Sequence, residues 1–354
     1  MLEQLEIPIV QAPLAGGPST PALAAAVSNA GGLGFVAAGY KSIDTLEQEL
    51  VRTGELTSRP FGVNLFVPGR APADPDQIAS FAATLQGEAD RAGVPLGTPR
   101  FDDDGFERKL DLLASAPAAV VSFTFGCPPA SAVQRLRDAG SSVWVTVTSL
   151  PEAREAAGAG ADALVVQGFE AGGHSGAFVD TPDTERFGLL ALLQLVGAEV
   201  ALPLVAAGGV ATGRGVAGVL AAGASAAQVG TALMRCPEAG TSSWHRESLA
   251  TAHRTGLTRA FTGRLARGIV NRFQAEHSEG APIAYPELHH VTAPLRARGR
   301  ETGDVELINL WAGQSHQLAL DLPAAEIVAR LASDANDALA TASSRLRHGA
   351  SSGG

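Results

Sequence analysis

Cysteine is nearly absent from this sequence: Cys127 and Cys236 are the only two among 354 residues. Two thiols are too few for a disulfide framework or a cysteine-ligated metal site, and the usage fits a reducing compartment. Long apolar runs are missing too, since no stretch of about 18 apolar residues occurs. The opening MLEQLEIPIVQAPLAGG lacks a basic start and a long apolar segment, so a soluble, cytoplasmic protein is expected. Positive charge is also short. With 26 basic against 36 acidic residues the formal charge is -10, which argues against nucleic acid as the main partner. A bound phosphate would have to be held locally.

What is present is enough apolar material for a large core, 45% of the chain. Short runs rich in Val, Ile, Leu and Ala recur, each followed by a segment with helical spacing. They are IPIVQAPL, GLGFVAAG, FGVNLFV, AAVVSFTFG, SSVWVTVTS, ADALVVQG, PLVAAGG and SAAQVG. The runs are continuous rather than alternating, as strands buried on both faces should be, and eight such units predict a (β/α)8 TIM barrel over residues 1–235. A doubly wound open sheet is the alternative. Residues 68–117 form an insert with helical stretches, expected on the barrel's active-site face and a candidate lid. Residues 236–346 read as an appended region packed on the barrel, with helical patterns in TGRLARGIVNRFQAEH and PAAEIVARLASDANDALATASSRL. The polar residues 347–354 are expected to be a disordered tail.

In such barrels the working groups stand at the C-terminal ends of the strands. Gln11 ends the first run, Asn64 lies in the third, Gln167 ends the sixth and leads into GFEAGGHSG, AAGG closes the seventh at Gly209, and Gln228-Val229-Gly230-Thr231 closes the eighth. Glycine-rich turns after the seventh and eighth strands offer backbone N–H donors to a phosphate without any basic patch. Neutral amides suit the edge of a heterocycle with alternating C=O and N–H groups. Any one of these could be only a tight turn or a satisfied buried amide. Together they describe a flavin mononucleotide (FMN) site better than a metal site. His174, framed by Gly172, Gly173 and Gly176 after a strand, can approach a planar cofactor and titrate near neutrality, whereas a lone histidine elsewhere is usually structural.

The blocks QAPLAGGPSTPALAAAVSNAGGLGFVAAGY, PFGVNLFVP, VSFTFG, VVQGFEAGGHSG, AAGGVATGRG, QVGTALM and FTGRLARGIVNRF together resemble the FMN-dependent nitronate monooxygenases. The resemblance implies a TIM barrel with non-covalent FMN, no metal, and oxidation of alkyl nitronates such as propionate 3-nitronate by O2, through a flavin semiquinone, to a carbonyl compound and nitrite or nitrate. It also implies that Asn64, Gln167, Gly172, Gly209, Gln228, Val229, Gly230 and Thr231 contact FMN and that His174 is the catalytic residue beside the substrate. Tyr285 and His289 are carried over as substrate contacts. Relatives often carry a larger basic residue where Ser175 stands, a second aromatic near His289 and a lysine near Ala293, so the substrate pocket is where this chain departs.

Other candidates read as supports. Glu170 precedes the glycines and fits a loop-bracing carboxylate; His289 and His290 lack companions for a metal site; Cys127 carries no mark of an activated thiolate. Arg264, Arg267 and Arg272 recur at helical spacing and fit bracing of the C-terminal region. The closest rival is an FMN-dependent enoyl-acyl-carrier-protein reductase using NAD(P)H, against which SFTFG, the long insert and the WAGQ segment stand. A non-catalytic FMN-binding barrel is the other rival. The expected partners are a small nitronate and O2, with no nucleic acid and no membrane; self-association is left open.

Overall fold

The computed structural model describes residues 1–69, 73–183 and 185–351. Among the described residues eleven strands run in chain order: β1 Ile9–Gln11, β2 Gly34–Ala37, β3 Phe61–Phe66, β4 Val120–Thr124, β5 Ser142–Val147, β6 Ala163–Gln167, β7 Gly173–His174, β8 Leu204–Ala207, β9 Ala226–Val229, β10 Thr255–Thr258 and β11 Ala266–Ile269. Eight of them form one parallel sheet in the order β1-β9-β8-β6-β5-β4-β3-β2. The bonds Leu33 N–H to Ile9 O and Gln11 N–H to Leu33 O bring its two edges together. This is a (β/α)8 TIM barrel, and each of its strands lies inside one of the eight apolar runs.

The alternation of side chains along each strand assigns them to two cores. Val121, Val145, Leu164, Val166, Ala206 and Val229 point outward into clusters with the surrounding helices. Val10, Phe35, Val120, Trp144, Val165 and Val205 point inward and plug the lower barrel. Above that plug the inward residues turn polar: Asn64, Ser122, Thr124, Thr146, Gln167 and Gln228 share the inner face near the C-terminal strand ends. The runs look continuous in sequence because both faces are buried, and only their last inward positions carry polar atoms.

The insert divides into two parts. The helix Phe106–Ser115 buries Phe106, Leu110 and Leu113 against the barrel wall. The helices Pro75–Thr84 and Gln86–Ala92 instead join the C-terminal region: Ile78, Phe81, Leu85 and Ala89 share one apolar cluster with Phe261, Phe273, Leu288, Val291 and Leu295. A buried carboxylate fastens this cluster. Glu88 accepts Arg272 Nη1 at 2.6 Å and Nη2 at 2.9 Å and lies 3.1 Å from His277 Nε2. The Arg272 bonds hold its carboxyl down at about 2.

One helical expectation in the C-terminal region changes. The stretch around Arg264 and Arg267 is not helical; β11 pairs antiparallel with β10 and β7, and only Arg272–His277 forms a helix. Long-range pairing has overridden a local spacing that fitted a helix. The last helix runs from Ala324 to Ser351 and packs Ala324, Ile327, Val328 and Leu331 into the outer barrel core. It continues past residue 347, where composition predicts a disordered tail, and positions 352–354 lie outside the described residues. Among the described residues no helix is long and apolar enough to cross a membrane.

Candidate active site

His174 enters the site because its strand is borrowed. After β6 the chain turns through the glycine frame, and His174 pairs with Ala266 while Gly173 pairs with Arg267 in the three-stranded sheet. Gln167 braces the turn from inside: Oε1 accepts Gly176 N–H at 2.7 Å and Nε2 donates to His174 O at 3.3 Å. Glu170 accepts Leu189 N–H at 3.0 Å, capping the helix Leu189–Gly197, which fits the bracing role. Gly172 is glycine for a steric reason. A Cβ there would lie 2.4 Å from Gly313 N and 2.5 Å from Ala312 C, so the segment Trp311–Gln314 crosses in contact with the turn.

The His174 ring is half-buried and walled by rings from three directions: Phe125 at 5.8 Å, Tyr285 at 5.8 Å and Trp311 at 5.2 Å between centroids. Its Nε2 lies 2.8 Å from Thr262 Oγ1, whose own nearest acceptor is Arg264 O at 3.3 Å. If the threonine proton goes to that carbonyl, Nε2 carries the imidazole proton and the lone pair is on Nδ1. Burial, then the charges of Arg264 and Arg296, push the His174 pKa down to about 3. The imidazole is therefore neutral through the neutral range. His289 is pushed down to about 2, by burial first and then by Arg296, and stacks on Tyr40 with centroids 4.6 Å apart. Tyr285 donates to Tyr40 Oη at 3.2 Å. Tyr40 and Thr262 are not singled out in the sequence; the fold brings them here.

The strand ends sort the expected cofactor contacts by what remains free. Gln11 is spent on Ser19 Oγ and the Phe35 backbone. Asn64 Nδ2 donates to Ser122 Oγ at 2.9 Å and Thr124 Oγ1 at 3.0 Å, while its Oδ1 accepts nothing among the described residues. The Gln228 amide, on the same inner face, has no partner among them at all. The Val229 side chain is in the outer core, which leaves only its backbone at the strand end. The N–H groups of Gly208, Gly209, Gly230 and Thr231, at the ends of the adjacent strands β8 and β9, donate no hydrogen bond within the described residues. Gly209 takes φ +69°, and Thr231 Oγ1 accepts Gly313 N–H at 3.0 Å. Unpaired N–H groups at neighbouring strand ends can hold an anion without a basic side chain. This donor set suits a mononucleotide.

Comparison with known proteins agrees with this geometry. The model of the nitronate monooxygenase family matches residues 1–334. The chain belongs to the nitronate monooxygenase family. It is 38% identical over 340 residues to a probable nitronate monooxygenase of Staphylococcus aureus (strain MSSA476), covering 94% of this chain and 95% of the relative. It superposes with TM-score 0.93 and 48% identity on nitroalkane oxidase from Streptomyces ansochromogenes, covering 96% and 99% of the two chains. FabK from Thermotoga maritima follows at TM-score 0.75 and 27% identity, covering 98% and 97%. As a nitronate monooxygenase family member, the protein is an oxidoreductase of a flavin-dependent class.

The amides of Gln228 and Gln167 make different predictions within this nitronate monooxygenase barrel. Gln228→Ala removes a group without internal partners and is expected to weaken flavin binding by about 0.5–1.5 kcal/mol, up to about tenfold in Kd. Gln167→Ala should instead loosen the His174 turn and cost stability. Flavin titration and urea midpoints of the two variants test this; an unchanged flavin Kd for Gln228→Ala would remove Gln228 from the cofactor site.

Proposed function

We propose that the protein binds FMN and oxidises alkyl nitronates, such as propionate 3-nitronate, with O2. The observation that carries the reading is the set of unpaired N–H groups at Gly208, Gly209, Gly230 and Thr231, beside free amide atoms at Asn64 and Gln228, in a barrel whose same mouth is faced by His174. The N–H set would hold the phosphate, and Asn64 and Gln228 the edge of the ring system, with Gln167 and Gly172 on the same rim. When bound, FMN supplies the electron-accepting chemistry. The chain's own contribution is position and charge. Arg264, donating to Ser175 O at 3.1 Å, adds a buried positive charge next to His174. That charge favours the nitronate anion over the neutral nitroalkane.

A neutral His174 with a pKa near 3 is a weak base at pH 7, because general-base catalysis is efficient when the pKa lies near the working pH. The imidazole therefore orients the nitronate more than it removes a proton, and this role needs the other tautomer, in which Nε2 accepts the Thr262 hydroxyl proton and Nδ1–H donates to a nitronate oxygen. A second reading, oxidation of neutral nitroalkanes, is favoured by the likeness to a protein named nitroalkane oxidase. Under that reading His174 Nδ1 would take the α-proton.

The cofactor half of the proposal is tested by denaturing the yellow holoprotein and chromatographing the released flavin. FMN is expected; FAD would contradict the single-phosphate site. Anaerobic mixing with NADPH or NADH separates the reductase alternative, since rapid bleaching of the flavin would favour it over nitronate oxidation.

A further inference from the structure

The His174 side chain is held from outside the barrel by one hydroxyl. Thr262 is 1% exposed, and its Oγ1 lies 2.8 Å from His174 Nε2, although the two residues are 88 positions apart. Thr262 stands in the connection between β10 and β11, and both strands belong to the three-stranded sheet that carries His174.

That connection is tightly constrained. The N–H groups of Thr262 and Gly263 both donate to Arg259 O, at 3.1 and 2.7 Å. Asp180 ties the two ends together, accepting Arg259 Nε at 3.0 Å and Leu265 N–H at 2.9 Å. Gly263, at φ +79°, has no room for a side chain, because a Cβ there would stand 2.4 Å from the backbone of Ala284. Ala284 N–H in turn donates to Gly263 O at 2.9 Å. On so constrained a turn the freedom left to a buried hydroxyl is the rotation of its proton.

The rotation has two end states. Oγ1 can donate to His174 Nε2 at 2.8 Å or to Arg264 O at 3.3 Å. An O–H···O bond is usually about 2.5–3.0 Å long, so the carbonyl is the poorer acceptor. Arg264 N–H also approaches Oγ1, at 3.4 Å. This is the local turn in which a threonine hydroxyl accepts from the N–H two residues on, leaving its proton free for a distant partner. Both features direct the proton to the imidazole. The His174 ring is neutral, so one nitrogen carries its proton and the other a lone pair. Among the described residues no hydrogen bond reaches Nδ1, which is therefore the nitrogen left for a substrate.

We propose that Thr262 is a positioning residue that selects the tautomer of His174: its hydroxyl donates to Nε2, so that Nδ1 carries the imidazole proton and meets the substrate as a hydrogen-bond donor. The consequence for substrates rests on the nitronate reading above, since a donor at Nδ1 receives an anion whereas a lone pair there would suit a carbon acid. The tautomer itself does not depend on that reading.

The test reads tautomer and rate separately on the holoenzyme. In nitrogen NMR of protein carrying isotope-labelled histidine, the His174 signals, identified by their loss in His174→Asn, are expected to show a protonated Nδ1 and an unprotonated Nε2 at neutral pH. A wild-type ring with its proton on Nε2 overturns the proposal. Thr262→Val keeps the volume and removes the hydroxyl. It is expected to shift the His174 signals away from the Nδ1–H form and to lower kcat/KM for propionate 3-nitronate by about tenfold or more with the flavin retained. Thr262→Ser, which keeps a hydroxyl, should recover most of the rate and the wild-type signals. Wild-type signals in Thr262→Val, or a serine variant as impaired as the valine one, overturn the role of the hydroxyl. If Thr262→Val does not fold, the wild-type spectrum and the serine variant decide. If the wild type oxidises no nitronate, the functional reading fails, and the spectra still decide the role of Thr262.

Discussion

Replacing His174 by alanine is expected to lower nitronate turnover by about 10²–10⁴-fold, the usual range for a positioned group that acts on the reacting atoms, while the protein keeps its flavin. The two effects separate because most of the cofactor contacts proposed above lie at the ends of β3, β6, β8 and β9, whereas His174 is held by Thr262 and by β11. Alanine also removes a ring packed on Phe125, Tyr285 and Trp311, so His174→Asn, which fills more of the volume, should lose activity comparably and stability less. Wild-type rates in both variants would make the histidine a structural element of the small sheet. A large loss of flavin in parallel with activity would place it in the cofactor site instead.

Acid should destabilise the protein steeply, beginning well above the range in which carboxylates titrate. Three histidines have folded pKa values below the ordinary 6.5: His174 at about 3, His245 at about 4 and His289 at about 2, each depressed mainly by burial. Between pH 6.5 and 4 the unfolded chain binds protons that the folded protein refuses. Stability is therefore complete above pH 6.5 and falls as pH drops, by at most about 4 kcal/mol per pH unit when all three contribute. Against a typical total of about 5–15 kcal/mol, unfolding near pH 5 is expected. Glu88 adds to this at lower pH, since its carboxyl, held at about 2 chiefly by Arg272, must protonate on unfolding below its ordinary range. Urea midpoints measured from pH 7.5 to 4.5 check this. A flat profile across that span, or a rise toward acid, would contradict the buried neutral state of these rings.

The barrel was readable because its strands are buried on both faces, which leaves an apolar run for each, and because polar residues such as Asn64, Gln167 and Gln228 interrupt the runs only where the inner face opens. His174 was readable from its glycines, although the reason for Gly172 turned out to be the approach of Ala312 and Gly313. The small sheet was not readable. Its β7 strand has two residues, too few for any periodicity, and its β11 partner presents arginines at a spacing that also fits a helix. Tyr40 and Thr262 come from distant segments, and the fold sets Tyr40 on the His289 ring and Thr262 against His174 Nε2.

Oxygen uptake by the purified holoenzyme tests the central claim most directly, with propionate 3-nitronate ionised in advance compared with 3-nitropropionate supplied as its neutral carbon acid. Rapid uptake with the nitronate, little with the carbon acid, and no requirement for reduced nicotinamide are predicted. Absence of uptake with any nitronate, or equal initial rates for the ionised and neutral forms, would contradict the account.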